Sequence, residues 1–361
     1  MLTDFDPTKS SGWSAFNLPG PKASYLTGTG AGILWHLVCC RLAMRFACGK
    51  EQLAEMTSRQ IVELGLKDPE ILNPKSEAHK ESKLLRGAVR VIWLSSIVDC
   101  TCQMLAHYQQ NKADIAAYQR GVLHWTGVGM GHHDEGLARL AASLRWVAEG
   151  DPSGLLVTDD ASGWDLSVSA DSLAFDAARR KARVVCHPEH YATIADLIDL
   201  ENLTNSAHPA LAGNELYVSA RRGITASGIA STSAQNSPIR SFIVYNATGR
   251  RSLSVGDDNV SSGADYSPEE LSEMEAAGLR SKGRRVRHLD QDHEFTSHLV
   301  RADGTATFDN LEKMLAHLDL RRPVGQPPAA AQVAGCLFAV RNSPAQLATI
   351  REYVAALGFT D

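Results

Sequence analysis

Val255-Gly256-Asp257-Asp258-Asn259-Val260 decides how the chain is read. Two aspartates follow a glycine, with strand-like Ser252-Leu253-Ser254-Val255 before them and Val260-Ser261-Ser262 after. The pattern predicts a tight hairpin with carboxylates at its tip. A hairpin tip lets a rigid sheet hold paired acids toward a metal ion. The same triplet also reads as an ordinary polar turn, so its weight depends on what else the chain carries.

Upstream lies Thr158-Asp159-Asp160-Ala161-Ser162-Gly163-Trp164-Asp165. The apolar run Leu155-Leu156-Val157 predicts a buried strand ending in acid, with Asp165 five residues beyond Asp160. Asp160 and the hairpin acids could share two divalent ions about 3.5–4 Å apart, the arrangement that serves phosphoryl transfer. Carboxylate oxygens suit Mg²⁺, a hard cation that keeps several waters. The alternative for one of these acids is a helix N-cap, and that is the expectation for Asp159. Between the acidic stretches, Ser227-Gly228-Ile229-Ala230-Ser231-Thr232-Ser233-Ala234-Gln235-Asn236 opens flexibly and then repeats Thr232 and Asn236 on one helical face. Such a face can offer a hydroxyl and an amide to a sugar or base edge; a plain polar face is the alternative.

Composition sets the frame. The chain has 361 residues, 44% of them apolar, 28 glycines and a net charge of −5, which suits a mixed α/β protein with a large core. The charge is unevenly spread. Lys75 to Arg90 holds five Lys or Arg against two Glu, and Leu279 to His288 holds Arg280, Lys282, Arg284, Arg285 and Arg287 with no acid. Asp257 to Glu275 is acidic. Basic stretches beside an acidic focus fit a protein that holds phosphates and divalent metal together, although each run alone also reads as solvated surface. The seven cysteines lack zinc spacing and are expected as thiols. The first residues carry no secretory signal. Ala31 to Ala47 is apolar but contains His36, Arg41 and Arg45, so a buried amphipathic helix is expected and no membrane span.

Periodicity predicts helices over 35–48, 51–65, 134–148, 171–183, 189–200, 229–245 with a kink or turn at Pro238, 268–277, 311–320 and 344–357. Residues 1–32 read as loop, and 323–331 as a Pro/Ala linker. A short hairpin is expected around Arg221-Arg222-Gly223, and strands within 286–299.

In order and spacing, Asp160-x4-Asp165, Ser227-Gly228-x3-Thr232-x3-Asn236 and Gly256-Asp257-Asp258 resemble motifs A, B and C of viral RNA-dependent RNA polymerases. The finer resemblance is to sobemoviruses, barnaviruses and poleroviruses. It rests on Asp160 to Asp165, on Lys75-Ser76-Glu77-Ala78-His79-Lys80-Glu81-Ser82-Lys83, on Ser96-Ile97-Val98-Asp99 and on Glu294-Phe295-Thr296-Ser297-His298. It covers about Ser10 to Leu320.

The resemblance implies an α+β right-hand fold with an antiparallel palm sheet flanked by helices. Its implied parts are fingers over 1–90, palm and fingers helices over 91–153, palm over 154–175, a fingers insertion over 176–222, palm over 223–300 and a short thumb over 301–361. It implies Asp160, Asp257 and Asp258 as ligands of two Mg²⁺ or Mn²⁺ ions. Asp165 and Asn236 would read the ribose 2′-hydroxyl, and Ser227, Gly228 and Thr232 would contact template and nucleotide. Lys75, Lys80, Lys83 and Arg90 resemble the basic motif F over the triphosphate. Lys282 resembles the motif D lysine that protonates pyrophosphate, and Ser10-Ser11-Gly12 a template-path motif G. Partners implied are template RNA, nascent RNA, NTPs, a viral protein primer and other replication proteins. The implied location is the host cytoplasm, with recruitment to membrane-associated replication complexes.

The chain departs from the pattern at Ala78, where proline is usual, and at Ala88 and Pro238, where relatives often carry arginine; Arg86 is the candidate substitute for the cation missing at Ala88. The rival reading is a catalytically silent polymerase fold that serves as an RNA-binding scaffold. Reverse transcriptase is disfavoured because Val255 and Gly256 stand where an aromatic is expected. A template-independent nucleotidyl transferase would share the metal site.

Overall fold

The structure is a computed structural model and describes residues 2–359 apart from 76, 78, 80, 88, 123, 229, 230 and 321–326. Its strands are β1 (Glu70–Pro74), β2 (Val91–Leu94), β3 (Leu155–Ala161), β4 (Ala210–Ala212), β5 (Glu215–Tyr217), β6 (Ser252–Val255), β7 (Asp258–Ser262), β8 (Ser281–His288), β9 (His293–Phe295), β10 (His298–Val300) and β11 (Ala306–Phe308). Its helices are α1 (Gly28–Cys48), α2 (Lys50–Glu55), α3 (Ser58–Glu63), α4 (Glu81–Leu84), α5 (Ile97–Gln119), α6 (Asp134–Ala148), α7 (Trp164–Ser167), α8 (Ala170–Ala182), α9 (Pro188–Asn205), α10 (Thr232–Thr248), α11 (Pro268–Ala276), α12 (Leu311–Leu320), α13 (Ala330–Ala339) and α14 (Pro344–Ala356).

The sheet that positions the acids has the order β6-β7-β3-β8, antiparallel throughout. Alternate side chains on a strand leave by opposite faces. Leu156, Leu253 and Val260 therefore pack with Leu140, Leu144 and Val147 of α6, whereas Val157 and Ala161 pack with Ile239, Ile243 and Val244 of α10 and Met274 of α11. Covering both faces makes this sheet the rigid centre of the molecule. A second sheet, β2-β1-β4-β5, has β1 parallel to β4; the third, β11-β10-β9, leads into the apolar cluster of α12, α13 and α14.

Several expectations change. α1 opens at Gly28, earlier than its glycine-rich start suggests. The run over 51–65 is two helices, because Thr57 forms a capping box with Gln60 and starts α3 afresh. The short hairpin turns at Gly213-Asn214 rather than at Arg221-Arg222-Gly223. Pro238 sits inside α10. Its ring removes the N–H that would reach the Ala234 carbonyl, and Arg180 Nη2 approaches that carbonyl instead at 3.5 Å. Of the linker expected over 323–331, residues 323–326 lie outside the described residues, and α13 already begins at Ala330.

α1 also differs from the expected amphipathic helix. By length and composition it is apolar enough to cross a membrane, yet its buried stripe is Leu34, Val38, Arg41 and Arg45. Arg41 pairs with Asp68 at 2.9 Å and Asp99 at 3.0 Å; Arg45 pairs with Asp99 at 2.7 Å and with Glu201. Beside them Glu70 binds Lys67 at 3.0 Å and His208 at 2.7 Å. Burial alone would raise the Glu70 pKa, but His208 and Lys67 outweigh it and hold it at about 2. The N-terminal part of the chain is thus organised around buried ions as well as apolar contacts.

Candidate active site

Two adjacent aspartates on β3 meet opposite fates. Asp159 turns to α10 and is buried. Arg240 Nη2 donates to its Oδ2 at 2.6 Å, Asn259 Nδ2 to its Oδ1 at 3.1 Å, and the Ser281 hydroxyl also donates to it. The expectation that Asp159 caps a helix is corrected: it is the anion of a buried pair within the sheet. Asp160 faces the other way and lines a cleft with Thr158, Asp258, Gly283, Phe295 and Thr296. A register shift between β3 and β8 falls between Thr158 and Asp160 and brings Asp160 opposite Lys282. Lys282 Nζ lies 3.0 Å from Asp160 Oδ2, both side chains half exposed.

The predicted hairpin is present. Val255 pairs with Asp258, leaving Gly256 and Asp257 as the turn, and Gly256 has φ of +64°, which suits glycine best. α10 anchors this turn from behind: Ser237 Oγ accepts the Gly256 N–H at 2.8 Å and donates to the Ser233 carbonyl at 2.7 Å. A separate polar run goes from Ser241 through Ser254 and Asn259 to Asp159.

Asp160, Asp165, Asp257 and Asp258 lie near enough to perturb one another. Burial, then Asp257 and Asp160, push Asp258 up to about 7. Burial and Asp257 push Asp165 up to about 6, against a lowering by Arg90. Burial and Asp160 raise Asp257, while Arg90 and Arg240 oppose the shift. The upward shifts of Asp165, Asp257 and Asp258 mark a place short of positive charge. As the side chains stand, no three His, Cys, Asp or Glu among the described residues converge into a metal cage. Asp160 is instead turned to Lys282. The donor type still fits hard divalent cations: Asp160 and Asp258 bring carboxylate oxygens to one cleft, with Asp257 close enough to act on Asp258.

The other predicted residues divide. Arg90, at the foot of β2, reaches the field of Asp165 and Asp257. Lys75 pairs with Glu77 at 3.0 Å, and Glu77 also meets Lys313 of α12 at 3.6 Å, linking this loop to the C-terminal helices. Lys83 is exposed on α4, and Arg86 turns back to the Ser82 carbonyl. Lys80, with Ala78 and Ala88, lies outside the described residues. Ser227 Oγ and Asn236 Oδ1 are buried without a hydrogen-bond partner among the described residues. Buried polar atoms are rarely left so, and a polar ligand would satisfy them. Thr232 Oγ1 donates to the Ala226 carbonyl at 3.1 Å. Gly228 runs against β2 so closely that an added Cβ would lie 1.6 Å from the Trp93 carbonyl oxygen. Ser11 Oγ bonds the Leu18 and Gly20 carbonyls, so its role here is to shape its own loop.

Sequence reading missed Arg240. Its signal was present: a lone arginine on the apolar face of the helix that follows Asn236, at the height of the acids. It also missed the tight turn between β9 and β10, where Thr296 and Ser297 take φ of +51° and +60°. Two positive values in a two-residue loop give the type I′ turn that matches strand twist. His132 stacks on His298 with ring centroids 3.7 Å apart and bonds Thr296 Oγ1 at 3.1 Å, bracing that turn against the cleft.

No family model matches the chain. Protein P1-P2 of Turnip yellows virus is 27% identical over 270 residues, covering 73% of this chain and 25% of the viral protein. The RNA-directed RNA polymerase of Mushroom bacilliform virus is 30% identical over 169 residues, covering 47% of this chain and 38% of that protein. The chain therefore spans well under two thirds of either relative. Among solved structures, the Sicinivirus 3Dpol RNA dependent RNA polymerase superposes with a TM-score of 0.67 at 13% identity, covering 98% of this chain and 74% of that one. By sequence the chain is a relative of polerovirus, sobemovirus and barnavirus replicase proteins, and its fold is the right hand of the viral RNA-dependent RNA polymerases.

Proposed function

We propose that the chain copies RNA into RNA, transferring nucleotides from NTPs to an RNA 3′-hydroxyl with two divalent ions. One observation carries this reading. Asp160 on β3 and Asp258 at the β6–β7 turn, about a hundred residues apart in sequence, line one cleft, and Asp257 and Asp160 both push the Asp258 carboxyl up. Asp160, Asp257 and Asp258 would hold Mg²⁺ or Mn²⁺, and the bound ions would activate the attacking hydroxyl and steady the leaving pyrophosphate. The 3′-oxygen bonds to the α-phosphorus as the bond to the β-phosphate oxygen breaks.

The chain's own residues supply the rest. Lys282, next to Asp160, gives a proton to pyrophosphate. Arg90, with Lys75, Lys80 and Lys83, offsets charge on the triphosphate. Asp165 and Asn236 read the ribose hydroxyl, which both donates and accepts. Ser227, Gly228 and Thr232 form the loop that meets template and nucleotide. In this reading 1–90 and 176–222 are fingers, 91–153 joins palm and fingers, 154–175 and 223–300 are palm, and 301–361 is thumb. Template, nascent RNA, a protein primer and other replication proteins are the partners. The site of action is the host cytoplasm, at membrane-associated replication complexes.

The test is primer extension on a defined RNA, with and without primer and template, comparing wild type with Asp257→Asn. Metal-dependent, template-dependent incorporation abolished by the substitution is expected. Incorporation that survives Asp257→Asn near the wild-type rate would sink the mechanism. RNA binding with no incorporation by the wild type would favour the scaffold reading, and incorporation without template a nucleotidyl transferase.

A further inference from the structure

α7 carries Asp165 but cannot hold it unaided. It is a single turn, Trp164–Ser167, entered from Gly163 at φ of +62° and without a side-chain cap. One turn bears the cost of helix nucleation with almost no propagation to offset it. The last carbonyls of any helix also lack partners within it. Here the Val168 N–H returns to the Trp164 carbonyl at 3.3 Å. Three of the carbonyls that follow are taken by one distant segment, 221–225. The Thr225 N–H donates to the Asp165 carbonyl at 2.8 Å, the Arg221 guanidinium to the Leu166 carbonyl, and the Ile224 N–H to the Val168 carbonyl at 3.0 Å.

That segment is itself fixed from behind. Arg222 Nη1 donates to the Leu203 carbonyl at 2.6 Å, and its Nη2 donates to the Met56 carbonyl at 2.7 Å and to the Leu53 carbonyl. These carbonyls lie at the C-terminal ends of α9 and α2, where a cation also meets the negative end of the helix dipole. The Gly223 N–H donates to the Ser206 carbonyl at 3.1 Å, and a Cβ at Gly223 would run into the Val168 carbonyl. Ile224 takes φ of +66°, a region that a β-branched residue seldom enters. Such a conformation persists where its surroundings over-determine it, and it gathers at functional sites. The Ile224 backbone is also hydrogen-bonded to the His208 ring, whose Nδ1 lies 2.7 Å from Glu70. Three residues further on, the chain enters the Ser227-Gly228 loop.

We propose that Arg221 is a positioning residue for sugar selection: through the Leu166 carbonyl it completes the clamp on α7 and so sets Asp165 against the ribose of the incoming nucleotide. The inference rests on the reading of the chain as a polymerase whose Asp165 meets the 2′-hydroxyl. Arg221 itself acts through α7 and touches neither nucleotide nor metal. Its side chain is exposed, and so is that of Leu166. Water can therefore replace the lost bond, and the fold loses little. What is lost is the fix on Asp165. A hydroxyl is told from a hydrogen by a hydrogen bond of correct length and direction, and a small displacement erodes it. NTP use should suffer and dNTP use should not, because a deoxyribose offers Asp165 no such bond to lose.

The experiment is single-nucleotide primer extension by the full chain with Mg²⁺, measuring kcat/KM for an NTP and for the matching dNTP. Arg221→Ala is expected to lower the NTP-to-dNTP ratio about tenfold, almost all of it through the NTP, and to melt as wild type does. Arg221→Lys keeps a donor and should recover most of the ratio. Arg280→Ala removes an equal charge from the same surface pocket and should leave the ratio unchanged. An unchanged ratio in Arg221→Ala overturns the proposal. Equal loss on NTP and dNTP also overturns it, by marking a merely structural role, and an equal effect from Arg280→Ala does so by assigning the effect to charge. A wild type that incorporates nothing fells the polymerase reading and sugar selection with it; a wild type that incorporates, beside an Arg221→Ala that selects equally well, removes this inference alone.

Discussion

The Arg240–Asp159 pair allows the sharpest test of how the acidic cleft is supported. Both side chains are fully buried and their charged atoms lie 2.6 Å apart. With an effective dielectric of about 20, Coulomb's law gives about 6 kcal/mol at that distance. Desolvation of both ions offsets much of it, so the intact pair adds little net stability. Removing one partner is different, because the other remains buried and charged: about 3–5 kcal/mol is expected. Asp159→Asn should cost most, since Arg240 Nε and Nη1 have no protein acceptor among the described residues and its remaining donor would face an amide. Arg240→Met should cost less, because Asp159 keeps Asn259 and Ser281 as donors. The double variant should recover most of the loss, giving a coupling energy of at least about 2 kcal/mol. Urea unfolding followed by tryptophan fluorescence measures all three. Single variants within about 0.5 kcal/mol of wild type, or costs that simply add in the double, would refute the claim that each of these buried ions depends on the other.

Other perturbations read other parts of the structure. Gly228→Ala places a methyl 1.6 Å from the Trp93 carbonyl oxygen, so the loop must move; incorporation should fall about 10²-fold with little change in melting, and a fully active variant would show that the loop tolerates the shift. Lys282→Met removes the partner of Asp160 at a half-exposed pair, so stability should change by less than about 1 kcal/mol while the incorporation rate falls about 10²-fold. Equal loss of both would mark Lys282 as merely structural. Burial, then His298 and Arg341, hold the His132 pKa at about 4 against an ordinary 6.5. Between those values the unfolded chain binds more protons at this position, so the contribution of His132 to stability should fall as pH drops from about 6.5 toward about 4, by at most about 3 kcal/mol, and level off outside that window. His132→Asn should flatten that slope in melting curves taken across it.

Much of the fold was legible because its signals are local. The apolar period of Asp134–Ala148 and the Ser267, Pro268 and Glu270 cap of α11 mark their helices without reference to the rest of the chain. The Gly256-Asp257 turn was legible for the same reason. What sequence missed depends on contacts between distant segments. Arg41 and Arg45 looked like the polar side of an amphipathic helix. They became the buried side only because Asp68, Asp99 and Glu201 arrive from three other elements. Pro238 looked like a kink, and Arg180 from α8 takes up the carbonyl that it frees.

The adjacent pair Asp159 and Asp160 shows where that limit lies. As letters they are interchangeable, and either could have been the cap or the ligand. A strand sends neighbours to opposite faces, so assigning one to the cleft commits the other to the helix side. Sequence supplies the alternation but not which face is which. The face is fixed by what covers it: α10 brings Arg240 to one side, and the β9–β11 sheet leaves the other side open beside Lys282. A buried aspartate needs a buried cation, so Arg240 on α10 is the partner that makes Asp159 the structural acid and releases Asp160 to the cleft. By this logic, exchanging the two roles would need a cation on the opposite face. Lys282, half exposed and opposite Asp160 in the β3–β8 register, is placed to pair with Asp160 and yet remain displaceable.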